Sequence, residues 1–516
     1  MNQLLKTRLA LWLALPVGAA LALAFAPFEW WPLGILCPAY LFLMWEDASP
    51  KRAAKIGFLF TAGNYLAGTY WLYHSIYEIG HAPIVLTLIA MVGLVAIMGG
   101  YTALLGYLLA RFCRPSVGQS TFWFVLLLLP AAYVLLEWFR GWFLSGFPWL
   151  ALGYTPIDTP LAGYAPIGGV YFVSLIVTLC AGAIAASFKS SKMQRVGAGG
   201  LFALIWIAAA LLWHRDWTRP LGAPITTAIV QGAVPQEMKW DQKQYEATLQ
   251  LYRDLTQPYL GKQLIIWPES ALAAPQEYLG AYLEQRWNEA RNSGSDLLLG
   301  QLRHDLKTDV YYNAVLGLSD RPQWYAKRRL VPLSESFPVP KFIRDWLKGL
   351  DLPYSGFEPG GPNQTPLELA GQKISPSICY EDAYASDQLP ALRTATLLVN
   401  VTNDAWFGES TAAHQHLQIS RMRALEAGRV LLRAANDGIS AVIDSQGHIQ
   451  KTLPRFKPSV LTATVQPRIG LTPYARVGNW LAVLLCVALV VGCLLRQRGR
   501  VNGQMGPEHS ERRVVP

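Results

Sequence analysis

The sequence predicts a membrane protein in two parts, a bundle of transmembrane helices and a polar α/β domain. Three observations carry this. The 516 residues are 52% hydrophobic and only 15% charged, with mean hydropathy +0.23, too apolar for an ordinary soluble chain of this length. Apolar windows long enough to cross a bilayer fall near 9–26, 30–46, 54–73, 83–110, 121–139, 163–188, 197–213 and 478–495, and none falls between 220 and 475. Basic residues alternate from loop to loop. These observations divide the chain into a transmembrane region at 1–219 with about seven helices, a polar domain at 220–475, an eighth helix at 476–495 and a tail at 496–516. The polar domain, about 250 residues, can bury a core of its own.

The charge pattern sets the expected orientation. Lys6 and Arg8 precede the first window; Lys51, Arg52 and Lys55 lie between the second and third; Arg111 and Arg114 between the fourth and fifth; Lys189, Lys192 and Arg195 between the sixth and seventh; Arg496, Arg498 and Arg500 follow the eighth. The intervening loops hold almost nothing basic, with Arg140 the exception. Positive loops stay in the cytoplasm, so both termini are expected there and the polar domain on the far side. The net charge of +10 is thereby explained without nucleic acid. A cleaved signal peptide over 1–26 fits less well, because its apolar run is long, Pro27 follows the cut and its removal would break the alternation. Gly93, Gly99, Gly100 and Gly106 in the fourth window are read as close helix contacts. The aromatic stretch from Arg140 to Tyr164 is expected at the outer interface, as a wall for a lipid tail or an aromatic belt.

In the polar domain, β-rich runs at 225–230, 263–267, 296–300, 312–317, 374–379, 396–401, 430–435, 439–443 and 460–465 alternate with helical runs at 241–257, 277–292 and 414–428. Several runs are continuously apolar, as expected of strands covered on both faces. The segment 334–366 is rich in Pro and Gly, with Phe342, Ile343, Trp346, Leu347 and Leu350 at helical spacing among Lys341, Arg344 and Lys348. That pattern fits an amphipathic helix lying on a membrane surface as a lid, or one packed on the sheet.

Cys379 is the one cysteine of six outside an apolar stretch or its edge; Cys37, Cys113, Cys180, Cys486 and Cys493 lie in or beside such stretches. A lone thiol in a polar domain is either inert filler or a nucleophile. Glu269 and Lys327 also sit at the ends or borders of apolar runs, where side chains of α/β strands share a crevice. A carboxylate can take the thiol proton and return it to a leaving group. A lysine ammonium can stabilise the oxyanion of a tetrahedral intermediate. His414 and His416, two apart on a helix, face different ways and read as core or surface histidines, so no metal site is expected.

Trp-Pro-Glu-Ser at 267–270, Lys-Arg-Arg-Leu-Val-Pro at 327–332 and Ile-Cys-Tyr-Glu at 378–381 resemble, in this order, the nitrilase superfamily of Glu-Lys-Cys enzymes. Further matches are Val-Gln-Gly-Ala-Val-Pro-Gln-Glu-Met-Lys-Trp at 230–240, Tyr-Tyr-Asn-Ala at 311–314 and Thr-Asn-Asp-Ala-Trp-Phe-Gly at 402–408. With apolar crossings on both sides, the chain resembles the membrane-embedded branch, the apolipoprotein N-acyltransferases of the bacterial inner membrane. The resemblance implies an α-β-β-α sandwich in the periplasm on a bundle of eight helices. It implies that Cys379 takes an acyl chain from a phospholipid, of the phosphatidylethanolamine class, as a thioester. The N-terminal amine of a diacylglyceryl-cysteine in an apolipoprotein then receives the chain. Glu269 is the implied base and acid. Lys327 and the Tyr380 N–H are the implied oxyanion donors, and Glu335 positions the lysine. Asn313, Trp240, Tyr380 and Glu381 match other active-site positions. No cofactor is implied, since a thioester needs none. One departure is Ser334 before Glu335, where the family often has glycine. Two other readings stand beside it: a membrane-anchored amidase or nitrilase acting on a soluble substrate, and a catalytically inactive membrane scaffold. Eight crossings exceed what an anchor needs, and a scaffold has no need of all three reactive residues.

Overall fold

A computed structural model describes residues 8–115, 120–239, 242–332, 334–335 and 356–504. Every apolar window contains helix. The helices used below are α1 (Ala14–Leu21), α2 (Leu33–Glu46), α3 (Pro50–Gly68), α4 (Ile84–Leu108), α5 (Leu129–Arg140), α6 (Ala165–Ser187) and α7 (Lys192–Trp213). Among the described residues, four stretches are helical, long and apolar enough to cross a membrane: Ile84–Cys113, Pro160–Ser187, Lys192–Trp213 and Trp480–Gln497. The first two windows give shorter helical stretches, Leu9–Ala24 and Leu33–Glu46. The fifth window starts as a wide turn at Phe124–Leu128 before α5.

Small residues bring these helices together, though not all at the expected places. A Cβ on Gly63 of α3 would lie 2.1 Å from the Leu15 carbonyl oxygen of α1, so that crossing needs glycine. In α4, Gly99 and Gly106 do lie against α3, at Phe58 and the Ala53 carbonyl, but Gly93 and Gly100 face open space. Spacing alone did not separate packed from outward-facing glycines on one helix.

The polar part is built from two sheets. The first contains β1 (Ile225–Gln231), β2 (Leu264–Ile266), β3 (Leu272–Pro275), β4 (Asp296–Asp305), β5 (Val310–Leu318) and β6 (Pro322–Ala326). The second contains β7 (Leu367–Leu369), β8 (Gln372–Ile378), β9 (Leu397–Thr402), β10 (Leu431–Ala435), β11 (Ala441–Ile443) and β12 (Ile449–Thr452). A later strand, β13 (Ser459–Val465), returns to the first sheet, whose order is β13-β1-β2-β4-β5-β6, with β3 also on β4; Arg219–Pro220 and Arg468–Ile469 form a separate short pair. The second sheet has the order β12-β11-β10-β9-β8-β7. At its centre β8, β9 and β10 run parallel; in the first sheet β1, β2 and β4 do.

Alternating side chains sort the strands into layers. Leu264, Ile266, Leu298 and Val315 of the first sheet meet Ile374, Ile378, Val399 and Leu432 of the second. The opposite face of the first sheet, with Ile265, Trp267 and Leu299, is covered by α8 (Gln242–Thr256) and α9 (Gly280–Asn292) through Leu249, Tyr252 and Leu283. The opposite face of the second, with Leu398 and Leu431, is covered by α10 (Ala412–Ala427) through Leu417 and Ala424. The domain is therefore a helix–sheet–sheet–helix sandwich.

α10 also joins the two parts of the molecule. All of its residues except His414 are buried. Ile419, Met422 and Leu425 pack into the core formed by the apolar helices, while Leu417 and Ala424 face the sheet. Polar bonds pin the contact. Gln415 accepts from the indoles of Trp71 (3.2 Å) and Trp149 (2.7 Å), and Glu426 accepts from the Val170 N–H at 2.6 Å, beside the kink at Gly168–Gly169 in α6.

The basic exception in the loop pattern also finds its place. Arg140 is buried and donates to the carbonyls of Trp149 (2.8 Å), Phe147 (3.0 Å) and Leu150 (3.2 Å), and to the Tyr65 hydroxyl. It organises a turn. The stretch it begins is split. Trp142, Phe143 and Leu144 are exposed, but Trp149 to Ile157 are buried between the helices and α10, so most of it is an internal floor.

Candidate active site

Cys379, Glu269 and Lys327 converge because each follows a strand. Cys379 comes directly after β8, Lys327 directly after β6, and Glu269 three residues after β2. These strand ends bring the three side chains together between the sheets. All three residues are buried, with Lys327 only 1% exposed.

The charges form one network. Lys327 Nζ lies 3.1 Å from Glu269 Oε1 and 2.9 Å from both carboxylate oxygens of Glu335. Asn313, on β5, donates its amide to Glu269 Oε1 at 2.7 Å and Glu335 Oε1 at 2.9 Å. The Asn403 N–H, just after β9, donates to Glu269 Oε2 at 2.9 Å. Burial pushes the Glu269 carboxyl up, but Lys327 and the Asn313 amide outweigh it and hold the group below its ordinary range. Burial disfavours the Lys327 ammonium, yet the two carboxylates raise its pKa well above the usual lysine value. Burial and the Glu269 charge push the Cys379 thiol up. The resting arrangement is therefore a neutral thiol beside an ionised carboxylate, with the lysine a fixed cation.

The backbone at Cys379 is strained. Its φ is +51°, a conformation costing a non-glycine residue about 1–3 kcal/mol. It begins the short helical turn Cys379–Ala383. Glu381, in that turn, does not reach the charge network. Its carboxylate accepts from the N–H groups of Ile378 (2.7 Å), Arg328 (2.5 Å) and Arg329 (3.3 Å), and from the Tyr325 hydroxyl (3.0 Å). It ties the Lys327 loop to the cysteine turn. Tyr380 faces the apolar helices: its ring stacks on Trp149 (centroids 6.2 Å, 23° between planes) and its hydroxyl reaches the Gly146 carbonyl at 3.4 Å. Tyr384 donates to the Ser145 carbonyl at 3.0 Å. Trp240 and the lid segment over 336–355 lie outside the described residues.

Sequence reasoning left out three contributors. Lys239 is buried, donates to the Glu269 main-chain carbonyl at 3.1 Å, and burial lowers its pKa to about 8 against the pull of Glu269. Asp404 is buried with Arg433 (2.8 Å) and His416 (3.0 Å). His416 also contacts the Cys379 carbonyl at 3.1 Å. Lys239 and Asp404 lie inside quoted motifs, but only the fold reveals their burial. His416 is buried and His414 half-buried.

Residues 17–183 match the family described as apolipoprotein N-acyltransferase N-terminal domain, and residues 226–474 match the carbon-nitrogen hydrolase family. The chain is 39% identical over 503 residues to an apolipoprotein N-acyltransferase of Methylococcus capsulatus, covering 96% of this chain and 98% of that one. A namesake from Chromobacterium violaceum is 40% identical over 94% of this chain and 93% of its own length. One from Pseudomonas aeruginosa is 37% identical over 94% and 96%. This membrane protein, with its nitrilase-like domain, belongs to the apolipoprotein N-acyltransferase family.

Proposed function

We propose that the protein transfers a fatty acyl chain from a phospholipid to the N-terminal amine of diacylglyceryl-cysteine in apolipoproteins, with Cys379 as the carrier. The observation that carries this is the buried Glu269–Lys327–Glu335 network beside a strained cysteine. It supports the following sequence. Cys379 Sγ attacks the ester carbonyl carbon of a phospholipid of the phosphatidylethanolamine class while Glu269 takes the thiol proton. Lys327 and the Tyr380 N–H stabilise the oxyanion. Collapse breaks the ester C–O bond; the departing glycerol oxygen takes the proton from Glu269, leaving a lysophospholipid and a thioester. The apolipoprotein amine then attacks the thioester, passing a proton through Glu269 to the departing Cys379 sulfur. An amide and a free thiol result, and no cofactor enters. Glu335 and Asn313 hold Lys327 and Glu269 in place. Glu381 acts one step back, by fixing the loops, and Trp240 is assigned to the active site by resemblance.

The same reading assigns 1–219 and 476–495 to eight crossings of the bacterial inner membrane, 220–475 to a periplasmic catalytic domain and 496–516 to a cytoplasmic tail. The alternating basic loops support that orientation. Packing of Tyr380 on the Trp149 floor supports a membrane-level site, where a phospholipid ester lies. Intact-mass measurement of purified protein incubated with phospholipid tests the proposal. One acyl chain should be gained by the wild type and none by Cys379→Ala; acylation or transfer at the wild-type rate in Cys379→Ala overturns it.

A further inference from the structure

Resting on that reading, we infer that His416 is a positioning residue of the acyl transfer: by donating to the Cys379 carbonyl it fixes the Cys379–Tyr380 peptide plane and aims the Tyr380 N–H into the site.

His416 stands near the start of α10 and is 1% exposed. Its Nε2 lies 3.1 Å from the Cys379 carbonyl oxygen and its Nδ1 3.0 Å from Asp404 Oδ1. A carbonyl oxygen can only accept, so His416 is the donor there. Asp404 sets the ring. Its carboxylate is held by Arg433 at 2.8 Å and accepts from the Thr402 hydroxyl at 3.0 Å. Burial pushes the Asp404 carboxyl up, but Arg433 and His416 bring it well below its ordinary range, so it faces the ring as an anion. A buried carboxylate orienting an imidazole whose far nitrogen makes the working contact is a general device.

The consequence lies in the peptide unit. The Cys379 C=O and the Tyr380 N–H belong to one trans peptide, so they point in opposite directions. The carbonyl points to α10, on the outer face of the second sheet. The N–H therefore points away from α10, towards the side where Glu269 and Lys327 arrive from the first sheet. The left-handed φ of Cys379 has a cost that neighbouring structure must offset, and the His416 bond acts directly on that plane. A donor on a carbonyl also polarises its peptide, strengthening the N–H at the other end.

His416→Phe keeps the ring volume and removes the donor; His416→Gln returns an N–H at similar reach. Two rates are read on purified full-length protein in detergent with phospholipid: acyl-enzyme formation by intact mass, and iodoacetamide alkylation of Cys379 by peptide mapping. Alkylation has no oxyanion, so it reports the nucleophile alone. His416→Phe is expected to slow acylation about 100-fold, the loss typical of one oxyanion donor, while alkylation changes less than about threefold. His416→Gln is expected to recover acylation to within about tenfold of wild type. Three results overturn the inference: His416→Phe acylating within about threefold of wild type, Gln and Phe equally slow, or alkylation falling in step with acylation. If thermal shift shows His416→Phe unfolded, His416→Met serves the same comparison. A wild type that never acylates overturns the acyl-transfer reading and this inference together; a wild type that acylates beside an equally fast His416→Phe overturns the inference alone.

Discussion

Cys379 stands between two buried ionic clusters with different surroundings. On one side, Lys327 serves two carboxylates, Glu269 and Glu335. On the other, Asp404 is served by Arg433 and His416, and Asp382 lies 4.0 Å from the same arginine. The first cluster has an excess of carboxylate and includes one, Glu269, beside a neutral thiol. It can accept a proton. In the second, the charged groups are tied to neighbouring polar side chains: Arg433 also reaches Asn400 at 2.5 Å and Ser420 at 3.0 Å, and Ser420 donates to Asp382 at 2.5 Å. Equal burial thus accompanies two roles. In the proposed reaction the cluster beside the thiol takes the proton, and the other holds the backbone at Cys379 through His416.

Substitutions at the two central cations separate those roles. Lys327→Met leaves Glu269 and Glu335 buried without their cation, a loss of about 3–5 kcal/mol, and also removes an oxyanion donor worth about 100- to 1,000-fold in rate. Acyl-enzyme formation should fall below detection by intact mass while thermal denaturation shows a lowered Tm. Arg433→Met should cost a similar about 3–5 kcal/mol in stability, read as a lower Tm. The folded fraction should still acylate within about tenfold of the wild-type rate, because no reacting atom touches Arg433 in the proposed sequence. If both variants lose rate equally, the division between the clusters fails.

A smaller change tests the proton-accepting side alone. Asn313→Leu removes a neutral donor from Glu269, a hydrogen bond to a charged group worth about 1.5–3 kcal/mol. Glu269 sits below its ordinary 4.5 in the folded state. Its contribution to stability is therefore full above that ordinary value and is lost as pH falls through the folded value. Wild-type acylation should likewise persist below pH 4.5 until Glu269 protonates. In Asn313→Leu the folded value moves up, so the acid limb of the acylation profile should move to higher pH. An unmoved limb would mean that Lys327 alone sets the carboxylate.

These clusters also mark where the sequence was readable. The central strands announced themselves: Leu264–Ile266, Leu297–Leu299 and Leu397–Val399 are apolar on both faces because helices cover the outside and the partner sheet the inside. Of the four edge strands, only β13 was read, at 460–465. Ile449–Thr452 is exposed at all four residues, and Pro322–Ala326 begins with proline, so neither has an apolar pattern to detect. Glu269, Lys327 and Cys379 were legible because each stands at the end or border of an apolar run within a motif. His416 was not, since a histidine on a helix is ordinary until the fold brings residues 379 and 404 to its two nitrogens. Arg140 stood out as the exception to the loop pattern, but only three converging carbonyls reveal it as an internal clamp.

A second junction with the apolar helices, besides α10, runs through Tyr384 and Tyr380. Tyr384 donates to the Ser145 and Gly146 carbonyls at 3.0 and 3.1 Å and lies 3.1 Å, hydroxyl to hydroxyl, from Tyr380, whose ring packs on Trp149. Ser145 and Gly146 both have positive φ, so their carbonyls point where an ordinary turn would not send them. Tyr384→Phe keeps the ring and removes one hydroxyl, at a cost of about 0.5–1.5 kcal/mol. Tm should fall by only a few degrees. Both clusters stay intact in this variant, so iodoacetamide alkylation of Cys379 should hold its wild-type rate. Acylation should slow by less than about tenfold, because a loss of this size shifts the seat of Tyr380 without removing it. A Tyr384→Phe protein that loses acylation as completely as Lys327→Met would move the control of the nucleophile out of the buried clusters and into the junction with the helices.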